Sequence, residues 1–340
     1  MKRITVPFVF VILAILGWHY SELGFSFITN EVIIRFIRDG ILVLALIIPI
    51  KAGMGLNFAI TIGAIAAQIG WLFVLDIQMK GFAGIISAAA FGCGLSIILG
   101  WLIGKVLNRV KGKEMVATMI MGFIGTSVYQ FIFLVGYGTF IPSHNQEIIL
   151  SRGAGVRSMV DLHEYRNIID KYWMIHIGSL EIPLFMILVV IGFSILIYYI
   201  LNTRIGCHIK AVGQDSGKAE LLGINIDPVR IKAVIISTVT ACLGQIVYLQ
   251  NIGMMNVYTG HLNSDIFSIA ALLAGGATVK NASVYNALIG IILFHFLFIV
   301  SPQAGQNLFR NAALGEYFRT FIAYGTIVFA LMANTRSNEP

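Results

Sequence analysis

Charge is scarce in this chain: Asp, Glu, Lys and Arg make up 11% of 340 residues, against 58% that are apolar. A water-soluble chain of that make-up has too little polar surface to cover itself, which excludes a soluble globular domain. Cysteine is scarcer still. Cys93, Cys207 and Cys242 lie scattered through or beside apolar stretches, which excludes a disulfide framework and a cysteine metal site. Catalytic groupings are missing as well: the seven histidines are dispersed, and no two carboxylates share one helix face inside an apolar stretch. The pair His163-Glu164 opens like a zinc-protease motif, but position 167 is Asn. No catalytic residue and no metal ligand is therefore assigned. No Gly-x-x-x-x-Gly-Lys-Ser/Thr stretch exists either; the Gly104-Lys105 pair has Leu99 where the first glycine should stand and Val106 after it. The chain by itself binds no ATP in that mode. The net charge of +7 comes without a basic stripe interleaved with aromatics, which leaves no footprint for a nucleic acid.

What is present is a series of apolar runs about as long as a bilayer is thick. Lipid offers no partner to a free N–H or C=O, so such runs cross it as helices. The expected fold is an all-α integral membrane protein of about ten transmembrane helices in one transmembrane domain over residues 1–340. Spans are read at 4–20, 33–50, 54–75, 82–104, 115–138, 182–202, 232–252, 265–280, 284–300 and 317–334. The first has Lys2 and Arg3 before its apolar core, like a signal peptide. No small-x-small cleavage site follows before Trp18, and the span is expected to be retained. The eighth is short and ends in Gly275-Gly276, so it reads as a full crossing or as a re-entrant helix.

Fourteen of the 23 basic residues, among them Lys51, Lys105, Lys210, Lys232, Lys280 and Arg336, fall on one side when the N-terminus is placed in the cytoplasm. Of the rest, Arg152, Arg157, Arg166 and Lys171 sit in one long loop, a kind that translocates regardless of charge. This asymmetry predicts both termini in the cytoplasm. Two hydrophilic segments are longer than a connection requires. The outer one, 139–181, carries a mixed-charge stretch with an amphipathic helix expected around Leu162–Ile169; it reads as a cap or as a plain solvated loop. The inner one, 203–231, is expected to contain a short helix capped by Asp215 or Ser216, carried by Lys218 to Leu222 and closed by Gly223 in the left-handed conformation. It reads either as an ordinary cytoplasmic loop or as a handle on which another protein pushes.

At this inner loop the sequence resembles the permease family of branched-chain amino acid, simple-sugar and nucleoside ABC importers. The residues that carry the likeness are Lys210-Ala211-Val212-Gly213-Gln214-Asp215, Ala219-Glu220, Gly223-Ile224-Asn225 and Ile231-Lys232-Ala233. Two glycine-rich stretches flank it at matching places: Lys51-Ala52-Gly53-Met54-Gly55-Leu56-Asn57-Phe58 and Ile269 to Ala277. The resemblance implies pseudo-repeated halves and a cytoplasmic coupling helix of Asp215, Ser216, Lys218, Ala219, Glu220, Leu221, Leu222 and Gly223, seated on a partner ATPase that holds the ATP and Mg. It also implies a second permease copy or paralogue, an extracytoplasmic substrate-binding protein and a place in the bacterial inner membrane. Asn57 is similar to nucleoside-type members and the Gly275-Gly276 hairpin to sugar-type ones. Branched-chain amino acids and vitamins stay open.

Polar residues are costly in lipid, so those inside spans are candidates for a substrate path. Asn57, Thr61 and Gln68 share one helical face, as do Gln245 and Tyr248. Each set reads either as lining for a neutral, hydroxyl-rich solute or as inter-helix hydrogen bonding. Gly53-Gly55 and Gly275-Gly276 are expected to break their helices; Gly63 and Gly100–Gly104 are expected to pack helices closely. His295, among phenylalanines, is expected to be a packed, internally bonded residue. No carboxylate is expected well inside a span, with Asp39 and Asp265 at span ends, which counts against an ion-coupled carrier.

Overall fold

The structure is a computed structural model and describes residues 5–151 and 153–335. Lys2, Arg3, Arg152 and Arg336, used above to orient the chain, lie outside the described residues. The chain is predominantly helical: α1 (Thr5–Ser21), α2 (Phe25–Ala45), α3 (Ile47–Lys51), α4 (Ile60–Asp76), α5 (Gly81–Arg109), α6 (Glu114–Phe131), α7 (Leu184–Asn202), α8 (Arg204–Gln214), α9 (Ser216–Leu221), α10 (Ile226–Ile252), α11 (Ser264–Ala274), α12 (Val284–Phe309) and α13 (Ala312–Thr335). Five helical stretches, Gly81–Arg109, Glu114–Gly136, Leu184–Asn202, Ile226–Ile252 and Val284–Phe309, are long and apolar enough to cross a membrane; α1, α4 and α11 are shorter apolar helices. The result is a multi-pass membrane protein.

Helix α10 packs against α5, α4 and α2, while α12 packs against α1, α2, α11 and α13. The two groups share α2, and one continuous apolar core runs through both. Glycines set the closest of these crossings. A Cβ at Gly63 would meet the Thr238 carbonyl at 2.5 Å, and one at Gly104 would meet the Ile231 Cα at 2.9 Å. Small residues at such crossings let backbones gain dispersion contacts that lipid cannot replace.

Several expectations are corrected. Helix α2 begins at Phe25, eight residues before the expected start at 33, because Asn30, Glu31, Arg35, Arg38 and Asp39 depress the hydropathy of a stretch whose backbone is nonetheless fully helical. Asp39 therefore stands in the interior of its helix, 14 residues and roughly 20 Å past its start. Asp39, expected at the end of a span, is thus within its helix. The amphipathic helix around Leu162–Ile169 is absent as well. After a short strand β1 (Met159–Asp161), that stretch holds one 3-10 turn at His163–Tyr165 and non-helical turns. Asn167 at φ +56° interrupts any helix there, and the Leu162 and Asn167 amides donate to the Gly253 and Gln250 carbonyls at the end of α10.

The outer segment is thus not purely helical. A hairpin of β2 (Met174–Ile177) and β3 (Leu180–Pro183) stands beside the antiparallel pairing of β1 with β4 (Met254–Asn256). Asp76, the last residue of α4, anchors this segment by accepting from Ser143 Oγ (3.0 Å) and from the His144 and Asn145 amides (2.8 and 3.2 Å). Asp76→Ala leaves those donors unsatisfied at a cost of about 1–3 kcal/mol each where they are buried. The outer segment of that variant is expected to be cut faster by protease added from outside, whereas an unchanged cleavage rate would show that Asp76 does not hold it.

Candidate coupling surface and interior polar layer

The inner segment holds two helices where sequence anticipated one. Helix α8 escaped notice because its buried residues are few, Gly206, Ile209 and Val212 at every third position. The Thr203 side chain caps it by accepting from the Gly206 amide (3.4 Å). Asp215 ends α8 and caps α9: its Oδ1 accepts from the Lys218 amide at 3.0 Å, and Lys218 Nζ lies 3.3 Å from Oδ2. The Lys218 amide is the main cause that holds the Asp215 carboxyl below its ordinary range. The sign follows: the cap is fully present at neutral pH and is lost as acid protonates Asp215. Helix α9 closes at Gly223, φ +79°, with the Gly223 amide on the Glu220 carbonyl (2.9 Å) and the Ile224 amide on the Ala219 carbonyl (3.0 Å). These two bonds satisfy the last carbonyls in the way a left-handed glycine permits.

Helix α9 projects two apolar side chains into the open: Leu221 is 89% and Leu222 78% exposed, while Ala219 is buried against the bundle. Two adjacent exposed leucines at the tip of a capped, polar-flanked helix form an uncovered apolar patch. A cleft of about 390 Å³, lined by Lys111, Glu220, Gly223 and Asp227 among others, runs alongside.

This surface is joined by backbone to the break in the first helical group. The chain leaves α3 at Lys51 and becomes helical again only at Ile60, with Gly53 and Gly55 at φ +76° and +72°. A Cβ on Gly213, near the end of α8, would lie 2.0 Å from the Lys51 carbonyl oxygen and 2.8 Å from the Gly53 nitrogen. Only glycine permits that approach. A second break follows α11: Gly276 takes φ +83°, and the Asn286 amide group of α12 donates to the Gly275 carbonyl at 2.8 Å. Lys51 Nζ donates to Asn281 Oδ1, so the two breaks meet at one end of the bundle, around a cleft of about 300 Å³ that Lys210 and Lys280 also line.

The residues expected on a substrate path are deep in the bundle and mostly engaged. Asn57 Nδ2 donates to Ser237 Oγ (3.3 Å), and Asn57 Oδ1 accepts from the Ala59 amide (3.1 Å). Thr61 donates to the Phe58 carbonyl (3.2 Å). Gln68 meets His261 Nδ1 at 2.8 Å and donates to the Asn256 carbonyl at 3.1 Å, while Gln245 donates to the Gly260 carbonyl at 3.0 Å. Gln68 and Gln245 thereby stitch the loop between α10 and α11 to α4 and α10. Tyr248 differs from these: half-buried, it lies under the Arg38 guanidinium, 5.2 Å from ring centre. His295 is buried and bonded, as expected, and its partner is Asp39, 3.1 Å from Nε2. Sequence reading missed Arg35, Arg38 and Asp39 as interior groups; four charged residues at helical spacing were the available signal.

A multi-pass helical bundle with two broken helices and a short capped helix projecting from one end has the architecture of a membrane permease. Comparison of families makes this particular: the family described as branched-chain amino acid transport system, permease component, matches residues 28–331. The chain belongs to that family. It is a permease subunit of an ABC importer and not an enzyme. A ribose import permease of Haemophilus influenzae is 22% identical over 83% of this chain and 80% of its own length. A nucleoside ABC transporter permease of Lactococcus lactis is 26% identical over 74% of each chain, and a fructose import permease of Bifidobacterium longum 25% over 84% and 77%. No solved structure matches the chain.

Proposed function

We propose that the chain passes a small hydroxylated solute, a simple sugar or a nucleoside, inward across the bacterial inner membrane as one half of a paired permease. In this reading it forms ten membrane segments in pseudo-repeated halves with both termini in the cytoplasm, and the two helix breaks face the cytoplasmic mouth. An ATPase subunit carrying ATP and Mg seats α9, a binding protein delivers the solute to the outer segment, and the second permease is a copy or a paralogue.

The observation that carries the reading is the backbone seam between Gly213 and Gly53. A partner that moves the exposed Leu221-Leu222 tip moves α8, and α8 cannot shift without moving the break that begins at Lys51. Closed and open mouths are then two discrete packings of one element, biased by the nucleotide state of the partner. The relatives named for ribose, fructose and nucleosides support the solute class.

Uptake of labelled ribose, fructose, uridine and leucine into cells that carry the whole transporter tests the solute class. Uptake of a sugar or of uridine, with none of leucine, is expected. Leucine uptake alone would overturn the assignment. Asp215→Ala should lower uptake and Asp215→Asn should preserve it, because asparagine caps as well as aspartate. Equal uptake by the two variants would remove the cap from the account.

A further inference from the structure

A second charged grouping inside the bundle has no part in the coupling surface. Arg35, Arg38 and Asp39 of α2 face α10, α12 and α13. Asp39 Oδ2 lies 3.1 Å from His295 Nε2 and 3.7 Å from Arg38 Nε. The Arg38 guanidinium lies over the Tyr248 ring, and the guanidinium groups of Arg35 and Arg319 lie 5.4 and 5.2 Å from the centre of one ring, Phe298. Outward of these, Glu31 lies 3.5 Å from Arg35 and Glu316 3.2 Å from Arg319. Each arginine thus has one carboxylate near it, and the grouping is charge-balanced with His295 neutral.

Balanced charge is not balanced hydrogen bonding. A guanidinium carries five N–H donors, and three of them here outnumber what three carboxylates supply. The Nε atoms of Arg35, Arg38 and Arg319 are buried and donate no hydrogen bond, and His295, 97% buried, has an Nδ1 with no partner. Groups taken out of water and left unsatisfied cost free energy unless something else fills their demand. A helix that served only for packing would carry apolar residues at these positions, and ionisable groups inside a membrane bundle mark a solute path by default.

We propose that Arg35, Arg38, Asp39, His295 and Tyr248 form a holding station on the path for the vicinal hydroxyls of a neutral sugar ring. The planar guanidinium of Arg38 donates two parallel N–H bonds to neighbouring ring oxygens, which a lysine cannot do. Asp39 accepts an O–H, His295 fixes the Asp39 carboxylate in place, and the Tyr248 and Phe298 rings hold the guanidinium groups against their faces. The charge balance disfavours an anionic solute, and the donor surplus disfavours an apolar one. This station rests on the proposed reading of the chain as a path for hydroxylated solutes.

The test is uptake kinetics in cells carrying the complete transporter, with ribose, fructose, uridine and leucine as probes and Arg38→Lys, Arg35→Lys and Asp39→Asn as variants. Co-purification of the ATPase subunit identifies the variants that fold and assemble. Among those, a KM raised about tenfold for the accepted hydroxylated probe, with a smaller change in maximal rate, supports the station. Unchanged KM in Arg38→Lys and Asp39→Asn overturns it and leaves the solute class standing. Uptake of leucine and of no hydroxylated probe by the unaltered protein overturns the solute class and this station together.

Discussion

Gly213→Val lowers solute uptake by about tenfold or more while the permease still binds its ATPase partner. The expectation follows from geometry: the new Cβ would stand 2.0 Å from the Lys51 carbonyl oxygen and 2.8 Å from the Gly53 nitrogen, both backbone atoms that no rotamer change can move aside. The end of α8 must lift off the break, and the α9 tip loses its hold on the mouth of the bundle. Coupling energies between distant sites are typically 1–3 kcal/mol, so removing this one lowers uptake by about tenfold or more at unchanged ATPase binding. Gly217→Ala is the matched control. Its Cβ would meet the Asp215 carboxylate at an ordinary 3.4 Å, inside a helix that favours alanine over glycine. If Gly213→Val and Gly217→Ala transported alike, the seam would not transmit motion.

The second large effect concerns stability. Arg230 near the start of α10 is 7% exposed and pairs with Glu114 at the start of α6; it also donates to the Leu107 carbonyl at 3.5 Å, near the end of α5. Three helices are tied at one buried charge. Glu114→Ala leaves that guanidinium without its counter-ion, and breaking a buried pair by removing one partner costs about 3–5 kcal/mol. The detergent-solubilised variant is expected to unfold at a clearly lower temperature than the parent. Replacing both residues by leucine should recover most of the loss, because the penalty lies in the orphaned charge and not in the missing attraction. A double variant as unstable as Glu114→Ala would contradict this.

The parts of the molecule legible in the sequence are those where one physical rule dominates. Long apolar runs such as 82–104 and 182–202 became helices α5 and α7, because a membrane leaves the backbone no other choice. The α9 cap was legible for a local reason: aspartate before a helix-forming run and glycine after it satisfy both ends without help from elsewhere. The rest depended on contacts between distant residues. Glu31, Arg35, Arg38 and Asp39 hid the first half of α2, since their burial is compensated by groups on α10, α12 and α13 that no local window contains. The strands β1 and β4 pair across almost a hundred residues, and the stretch after β1 bonds to the end of α10 and not to itself as a helix. Gln68 and Gln245 were read as path candidates, yet their partners lie in the segment before α11, outside the helices that carry them.

Asp39 and His295 also bear on how transport is driven. A carboxylate and an imidazole in contact inside the bundle are what an ion-coupled carrier would need, whereas membership in an ABC permease family places the energy source on a partner. The α9 tip decides between the two in a single preparation. The tagged chain, purified in mild detergent from its native membrane, is predicted to bring an ATPase subunit with it, and the Glu220→Arg, Gly223→Trp double variant is predicted to lose that subunit while remaining folded. Recovery of both forms alone, or of both with equal amounts of the ATPase, would contradict the assignment of α9 as the point where ATP-driven motion enters the membrane.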